Sequence, residues 1–187
     1  MPNSELDKTL SKLSSISRRA RDDSTFEFLS LAHLLNVEYL KDCYRNLDRN
    51  KAAGIDEVSW QEYGKDLEKN VEDLVMRLKR KSYKPLPARR VYIPKGKNET
   101  RPLGISTIEN KIVESGITKI LGSIYEADFL NCSYGFRPNR NPHQALNEID
   151  TIIMTQPVSY IVEADIKGFF DNVSHEKLME FMKIRIK

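Results

Sequence analysis

The stretch Val162-Glu163-Ala164-Asp165-Ile166-Lys167-Gly168-Phe169-Phe170-Asp171 sets a carboxylate, Asp165, at the end of an apolar run. The run reads as a β-strand, which would hold Asp165 rigidly in a sheet while its oxygens face solvent. Such a group suits a hard Mg²⁺ ion, which takes one or two carboxylates and otherwise phosphate and water. Gly168 permits a tight turn, and Phe169 and Phe170 then bring aromatic surface close to a metal. An Asp at a strand end also forms turns or caps the next helix, and spacing alone leaves both readings open. Glu163 and Asp171 lie nearby, but strand polarity and capping account for them.

A second feature is a stripe of charge. Ten basic residues lie between Arg77 and Arg101, among them Arg89, Arg90, Lys95 and Lys97, against one acid, Glu99. The window carries nine net positive charges in a chain whose total is +3, so the remainder is acidic by six. A concentrated basic stripe is a footprint for phosphate. Its plainer reading is a solvated helix face and a charged loop.

These residues carry a family resemblance. Asp165-Ile166-Lys167-Gly168-Phe169-Phe170-Asp171-Asn172-Val173-Ser174-His175 resembles the first catalytic motif of group II intron reverse transcriptases. Ile93-Pro94-Lys95 together with Arg101-Pro102-Leu103-Gly104-Ile105 resembles the fingertip motif of that family. Ser133-Tyr134-Gly135-Phe136-Arg137-Pro138-Asn139-Arg140 is similar to the next block, and Lys51-Ala52-Ala53-Gly54-Ile55-Asp56 resembles the amino-terminal extension of intron-type enzymes. The blocks run in the family's order from about residue 45 to 182. Three positions depart from the pattern. Glu57 stands where glycine is common, Ser106 where proline is common, and Glu109-Asn110-Lys111 replaces a frequent Asp-Arg or Asp-Lys pair.

The resemblance implies an RNA-directed DNA polymerase with maturase relatives, built as an α+β fold. Helix-rich fingers with a β-hairpin would be succeeded by the first strand and helix of a right-hand polymerase palm. It implies two Mg²⁺ ions bound by Asp165, with the Ile166 carbonyl assisting at one. Phe170 would take the steric-gate position under the incoming sugar, Lys95 would meet the terminal phosphates, and Arg101 would lie over the nucleotide. Tyr134, Gly135, Phe136 and Arg137 would pack beside the template, with Arg89 and Arg90 on RNA. The implied partners are an RNA template (group II intron RNA), a DNA or RNA primer and deoxynucleoside triphosphates. The Tyr-x-Asp-Asp motif that supplies the family's partner aspartates does not occur in these residues, so the stretch reads as the front part of a longer enzyme, inactive alone. Two alternatives stay open: an RNA-binding maturase module that assists splicing, and a retron or phage-defence reverse transcriptase, against which the 51–56 block argues.

Periodicity and caps predict the elements that would position these groups. Residues 1–24 read as an arm or frayed helix, 25–155 as fingers and 156–187 as the beginning of a palm. Apolar residues at three- and four-residue spacing predict one helix over 26–47 and another from Ser59, a capping-box residue, to about Lys81. Arg89 to Ile93 and Pro102 to Ile105 predict a basic hairpin around a 94–100 turn. Ser106 with Glu109 predicts a further capping box. Asn141-Pro142-His143-Gln144 opens a helix to about Met154, and Ser159 to Asp165 forms a strand. Ser174 caps a helix that continues to the last residue.

Composition excludes several classes. Of 187 residues, 40% are hydrophobic and 30% charged, as in soluble globular proteins. The uncharged stretch between Asp150 and Glu163 is polar and broken by Pro157, so nothing spans a membrane. Glu5, Asp7, Asp22 and Asp23 interrupt any secretory leader, and a cytoplasmic location is expected. Cys43 and Cys132 sit in no metal-ligand or redox spacing, and His33, His143 and His175 are scattered. No nucleophile triad presents itself, and Gly96 and Gly104 do not make a Walker loop.

Overall fold

The computed structural model describes residues 4–96 and 99–187. Its elements are α1 (Glu5–Asp22), a 3₁₀ turn (Leu31–Leu34), α2 (Val37–Arg45), α3 (Trp60–Lys65), α4 (Leu67–Lys79), β1 (Arg89–Lys95) and β2 (Glu99–Ile105). After these come α5 (Ile108–Tyr125), α6 (Pro142–Thr155), a 3₁₀ turn (Phe170–Asn172) and α7 (His175–Met182). The α+β class is met: helices dominate, and one antiparallel hairpin supplies the described sheet. Two compact units emerge, one of residues 1–16 and 30–123, the other of 17–29 and 124–187. No helix among the described residues is long and apolar enough to cross a membrane.

The first unit owns the hydrophobic core. Tyr39, Leu40, Cys43 and Tyr44 from α2 meet Val71, Leu74 and Val75 from α4 and Ile108, Ile112 and Val113 from α5, with Leu13 of α1 joining them. Tyr39 donates its buried hydroxyl to the Gly116 carbonyl at 3.0 Å, so α2 is pinned to α5 by a polar bond as well as by packing. Burial raises the Cys43 thiol above its ordinary pKa, consistent with an inert core residue.

Where single long helices are expected, the chain breaks. Between 26 and 47 Ser30 turns left-handed (φ 55°), a short 3₁₀ turn comes next, and Asn36 caps α2 by accepting from the Tyr39 amide. The apolar spacing is real, but the Asn36 side chain offers the backbone a cap that ends the run and starts a new one. The Ser59 helix is likewise divided at Asp66 (φ −119°, ψ 40°) into α3 and α4. The Ser59 cap itself forms, accepting from Glu62 N at 3.1 Å. The α5 cap falls one residue later than expected: Thr107 Oγ1 accepts from Asn110 N, while Ser106 donates to Glu114.

The second unit is sparsely packed. Asn141 and Gln144 form the full reciprocal capping box with Pro142 at the helix start, as the sequence requires. Yet α6 buries no residue, nor does α7. The expected strand at 159–165 is absent, and the segment is coil with Tyr160, Ile161 and Val162 exposed. A strand is completed by a neighbour that takes its backbone bonds. The described strands pair only with each other, so the apolar run has none. The last helix also stops early, at Met182. Residues 183–185 turn, and Ile186 forms a parallel bridge with Phe28. Arg185, 3% exposed, fixes this turn by donating to the Ser24 and Ala20 carbonyls and to Asp128.

Candidate nucleic-acid interface

The hairpin register decides which basic residues act together. Ile93 pairs with Arg101, Lys95 with Glu99, and Arg89 with Ile105. Side chains alternate along a strand, so Arg89, Val91, Ile93, Lys95, Glu99 and Arg101 share one face, whereas Arg90 and Tyr92 project from the other. Lys95 and Arg101 therefore stand close together on one exposed hairpin face, with no ion pair to either among the described residues. Lys97, part of the basic stripe, lies outside the described residues.

Other members of the stripe are already committed. Arg77 makes a two-pronged bond to Glu109 (2.9 and 2.6 Å) and another to Asp73 (2.7 Å), and the Glu109 bond raises its pKa still further. Arg89 donates to the Ala53 carbonyl at 2.8 Å. The charge free to meet phosphate is thus smaller than the sequence count, since Arg77 is paired with Glu109 and Asp73.

A cationic cavity escaped the sequence reading. About 410 Å³ in volume and open to solvent, it is lined by Arg45, Arg49, Trp60 and Lys65. The Arg49 guanidinium lies 4.8 Å over the Trp60 ring, a placement that leaves its in-plane donors available. None of the three cations has a carboxylate partner among the described residues. The signal available in the sequence was a pair of arginines four residues apart, Arg45 and Arg49, ahead of an aromatic beside the Ser59 cap.

In the second unit Asp165 and Ile166 are exposed, in the coil. Phe170 is 83% exposed and meets Phe169 edge-on at 5.3 Å. Gly168 is left-handed (φ 62°), the turn that its type allows. Among the described residues no three His, Cys, Asp or Glu side chains come together to hold a metal. One carboxylate and one carbonyl do not offset the repulsion of two divalent ions, so the residues present do not by themselves fit a two-ion centre.

The 133–140 block is ordered by its own arginines. Arg137, its side chain 7% exposed, binds Glu126 and the carbonyls of Leu130 and Ser133, and its guanidinium lies 5.1 Å from the Phe129 ring centroid. Arg140 lies 5.0 Å over Tyr134, whose hydroxyl donates to Glu148. Next to Gly135, Phe136 is left-handed (φ 57°) and fully exposed. The arginines shape the loop, and Phe136 is what the loop presents.

Comparison with known proteins agrees with the resemblance to reverse transcriptases. Residues 93–185 match the reverse transcriptase (RNA-dependent DNA polymerase) family. Over these residues the chain is similar to members of that family. The relatives include a group II intron-encoded protein and a protein of another intron. The group II intron-encoded protein LtrA of Lactococcus lactis subsp. cremoris is 34% identical over 181 residues, which is 96% of this chain and 30% of LtrA. Protein YkfC of Escherichia coli (strain K12) is 39% identical over 107 residues, 56% of this chain and 28% of YkfC. A 91 kDa protein in the cob intron of Schizosaccharomyces pombe is 34% identical over 117 residues, 63% of this chain and 14% of that protein. The chain spans 30% or less of the length of each.

Proposed function

We propose that this chain forms the fingers and the opening part of the palm of an RNA-directed DNA polymerase of the group II intron type, with the fingers at 25–155 and the palm beginning at 156. The observation that carries the reading is the shared exposed face of Lys95 and Arg101. Two cations on a rigid hairpin, one a point charge and the other a planar fork, suit the phosphates of a nucleotide or template. Asp165 supplies one carboxylate to a Mg²⁺ site that takes its other ligands from outside the described residues. Phe170, five residues on, offers a ring against the sugar. Phe136, with Tyr134 and Gly135, presents aromatic surface to template bases, while Arg137 keeps that loop in shape. The partners are an RNA template, a primer and deoxynucleotides, in the cytoplasm.

The test has two parts. The purified chain binds single-stranded RNA, and the affinity falls as salt rises because the contacts are ionic. With primer, template, deoxynucleotides and Mg²⁺ or Mn²⁺ it extends nothing. Binding that ignores both salt and the pair Lys95→Ala with Arg101→Ala sinks the phosphate role. Primer extension that Asp165→Ala abolishes sinks the account of an incomplete metal site.

The cationic cavity beside Trp60 favours a second role within the same family: a grip on structured intron RNA that assists splicing. It shows as RNA binding that Arg45→Ala with Arg49→Ala weakens while nucleotide is absent.

A further inference from the structure

Three consecutive residues at the start of α5 each hold a different piece of the first unit. Glu109 takes both terminal nitrogens of Arg77 from α4. Asn110, 6% exposed, uses both ends of its amide: Oδ1 accepts from the Tyr83 hydroxyl at 2.7 Å, and Nδ2 donates to the Leu86 carbonyl at 2.8 Å. Lys111 donates to the Ala52 carbonyl at 3.0 Å. Arg89, the first residue of β1, holds the Ala53 carbonyl, and Gly54 lies so close to Thr107 that a Cβ would come within 2.6 Å of its Cα.

Lys111 is informative because it sits where a helix disfavours it. The first turn is the positive end of the helix dipole, and a cation there is repelled. Helix stability therefore does not account for this lysine, whereas the bond to the 52–54 loop does. Asn110 is tied for a different reason: a buried amide is costly with either end unpaired. Together the bonds span the chain leading into β1 and the loop behind it, yet none involves Lys95 or Arg101.

We propose that Asn110 and Lys111 are positioning residues, which hold the root of the β1–β2 hairpin and the 52–54 loop in one frame and so fix where Lys95 and Arg101 present their charges to phosphate. The inference rests on the phosphate role given above to those two cations. It makes the stretch that departs from the family's frequent pair a mount for the hairpin rather than a neutral substitution.

The test measures affinity for a short single-stranded oligoribonucleotide across a KCl series, alongside thermal melting. Asn110→Ala and Lys111→Met each weaken binding several-fold and flatten the log-affinity against log-salt slope by about 1, as loss of a phosphate contact does. Lys111→Arg, which can still reach the Ala52 carbonyl, retains wild-type binding. Adding Arg101→Ala to Asn110→Ala costs little more, because the contact is already lost. A purely structural role gives lowered melting with an unchanged slope and additive effects, and that result overturns the proposal. Should Asn110→Ala fail to fold, Tyr83→Phe removes the same bond from the other side and is read in the same way. The two layers separate cleanly. If Lys95→Ala with Arg101→Ala leaves binding unchanged, the phosphate role is wrong. If that pair weakens binding while Asn110→Ala, Tyr83→Phe and Lys111→Met do not, only the positioning role is overturned.

Discussion

Tyr44 and Trp60 are joined three ways. Their rings stack at 4.6 Å and 8° from parallel, the Tyr44 hydroxyl donates to the Trp60 carbonyl at 2.8 Å, and the Trp60 indole donates to the Tyr44 carbonyl at 3.1 Å. The pair fastens the start of α3 to the end of α2. Gly64 completes the fit, since a Cβ there would collide with the Tyr44 hydroxyl. Trp60→Ala, which removes a half-buried aromatic, is expected to destabilise the first unit by roughly 2–3 kcal/mol. Gly64→Ala is expected to cost about 1–3 kcal/mol by overpacking. Urea titration checks both, as a lowered midpoint at unchanged slope.

Glu57 occupies a left-handed conformation (φ 59°) in the loop ahead of α3. A side chain with a Cβ is strained in that geometry and glycine is not. Glu57→Gly should stabilise the chain by about 0.5–1 kcal/mol, after allowing for the greater freedom of glycine in the unfolded state. A lowered denaturation midpoint would show that the loop derives support from the glutamate itself.

Arg137→Ala should act on the loop rather than on charge alone. The guanidinium bonds Glu126 and two carbonyls, and hydrogen bonds to charged groups contribute about 1.5–3 kcal/mol each at most. A loss of roughly 2–3 kcal/mol is expected from the second unit, with increased amide exchange across 126–140. An unchanged exchange pattern would mean that the loop holds its shape without this residue.

Stability should fall in alkali. Burial, and after it the nearby Glu109 and Glu114 carboxylates, pushes the Tyr83 phenol up to about 12. Burial also raises Tyr39 and Tyr63 well above the ordinary tyrosine range. In the unfolded chain these phenols lose their protons near pH ~10. The unfolded state then holds fewer protons than the folded one, so stability decreases as pH rises from about 10 towards 12. Urea midpoints measured across that window should drop, and Tyr83→Phe should make the drop shallower.

Phe170→Ala separates fold from function. The ring is mostly exposed, so folded stability should change by no more than about 0.5 kcal/mol. In a polymerase-competent longer form, the same change should admit ribonucleotides more readily, measured as the ratio of kcat/KM for deoxy- and ribonucleotides. Undiminished discrimination would place the gate at another residue.

What the sequence made legible was local chemistry. The caps at Ser59, Asn141 and Ser174 and the two strands of the hairpin all form, because each depends on neighbours a few residues away. The breaks at Ser30 and Asp66 were hidden, since the apolar spacing runs on across them. The 159–165 run has strand-forming residues but no described strand to complete its backbone bonding. Of the candidate site, residue types were legible but their commitments were not. Nothing in the order of residues shows that Arg77 is spent on Glu109, or Arg137 on its own loop.

The bridge between Phe28 and Ile186 sets a limit on the order of events during synthesis. Arg185 reaches carbonyls 161 and 165 positions earlier in the chain, so residues 17–29 find these partners only after residue 185 has been made. The residues of the first unit end at Ser123, so all of them have been made well before residue 185. Until then the segment around Phe28 waits with its own closure deferred, and that late contact carries the entropic cost of closing a long loop.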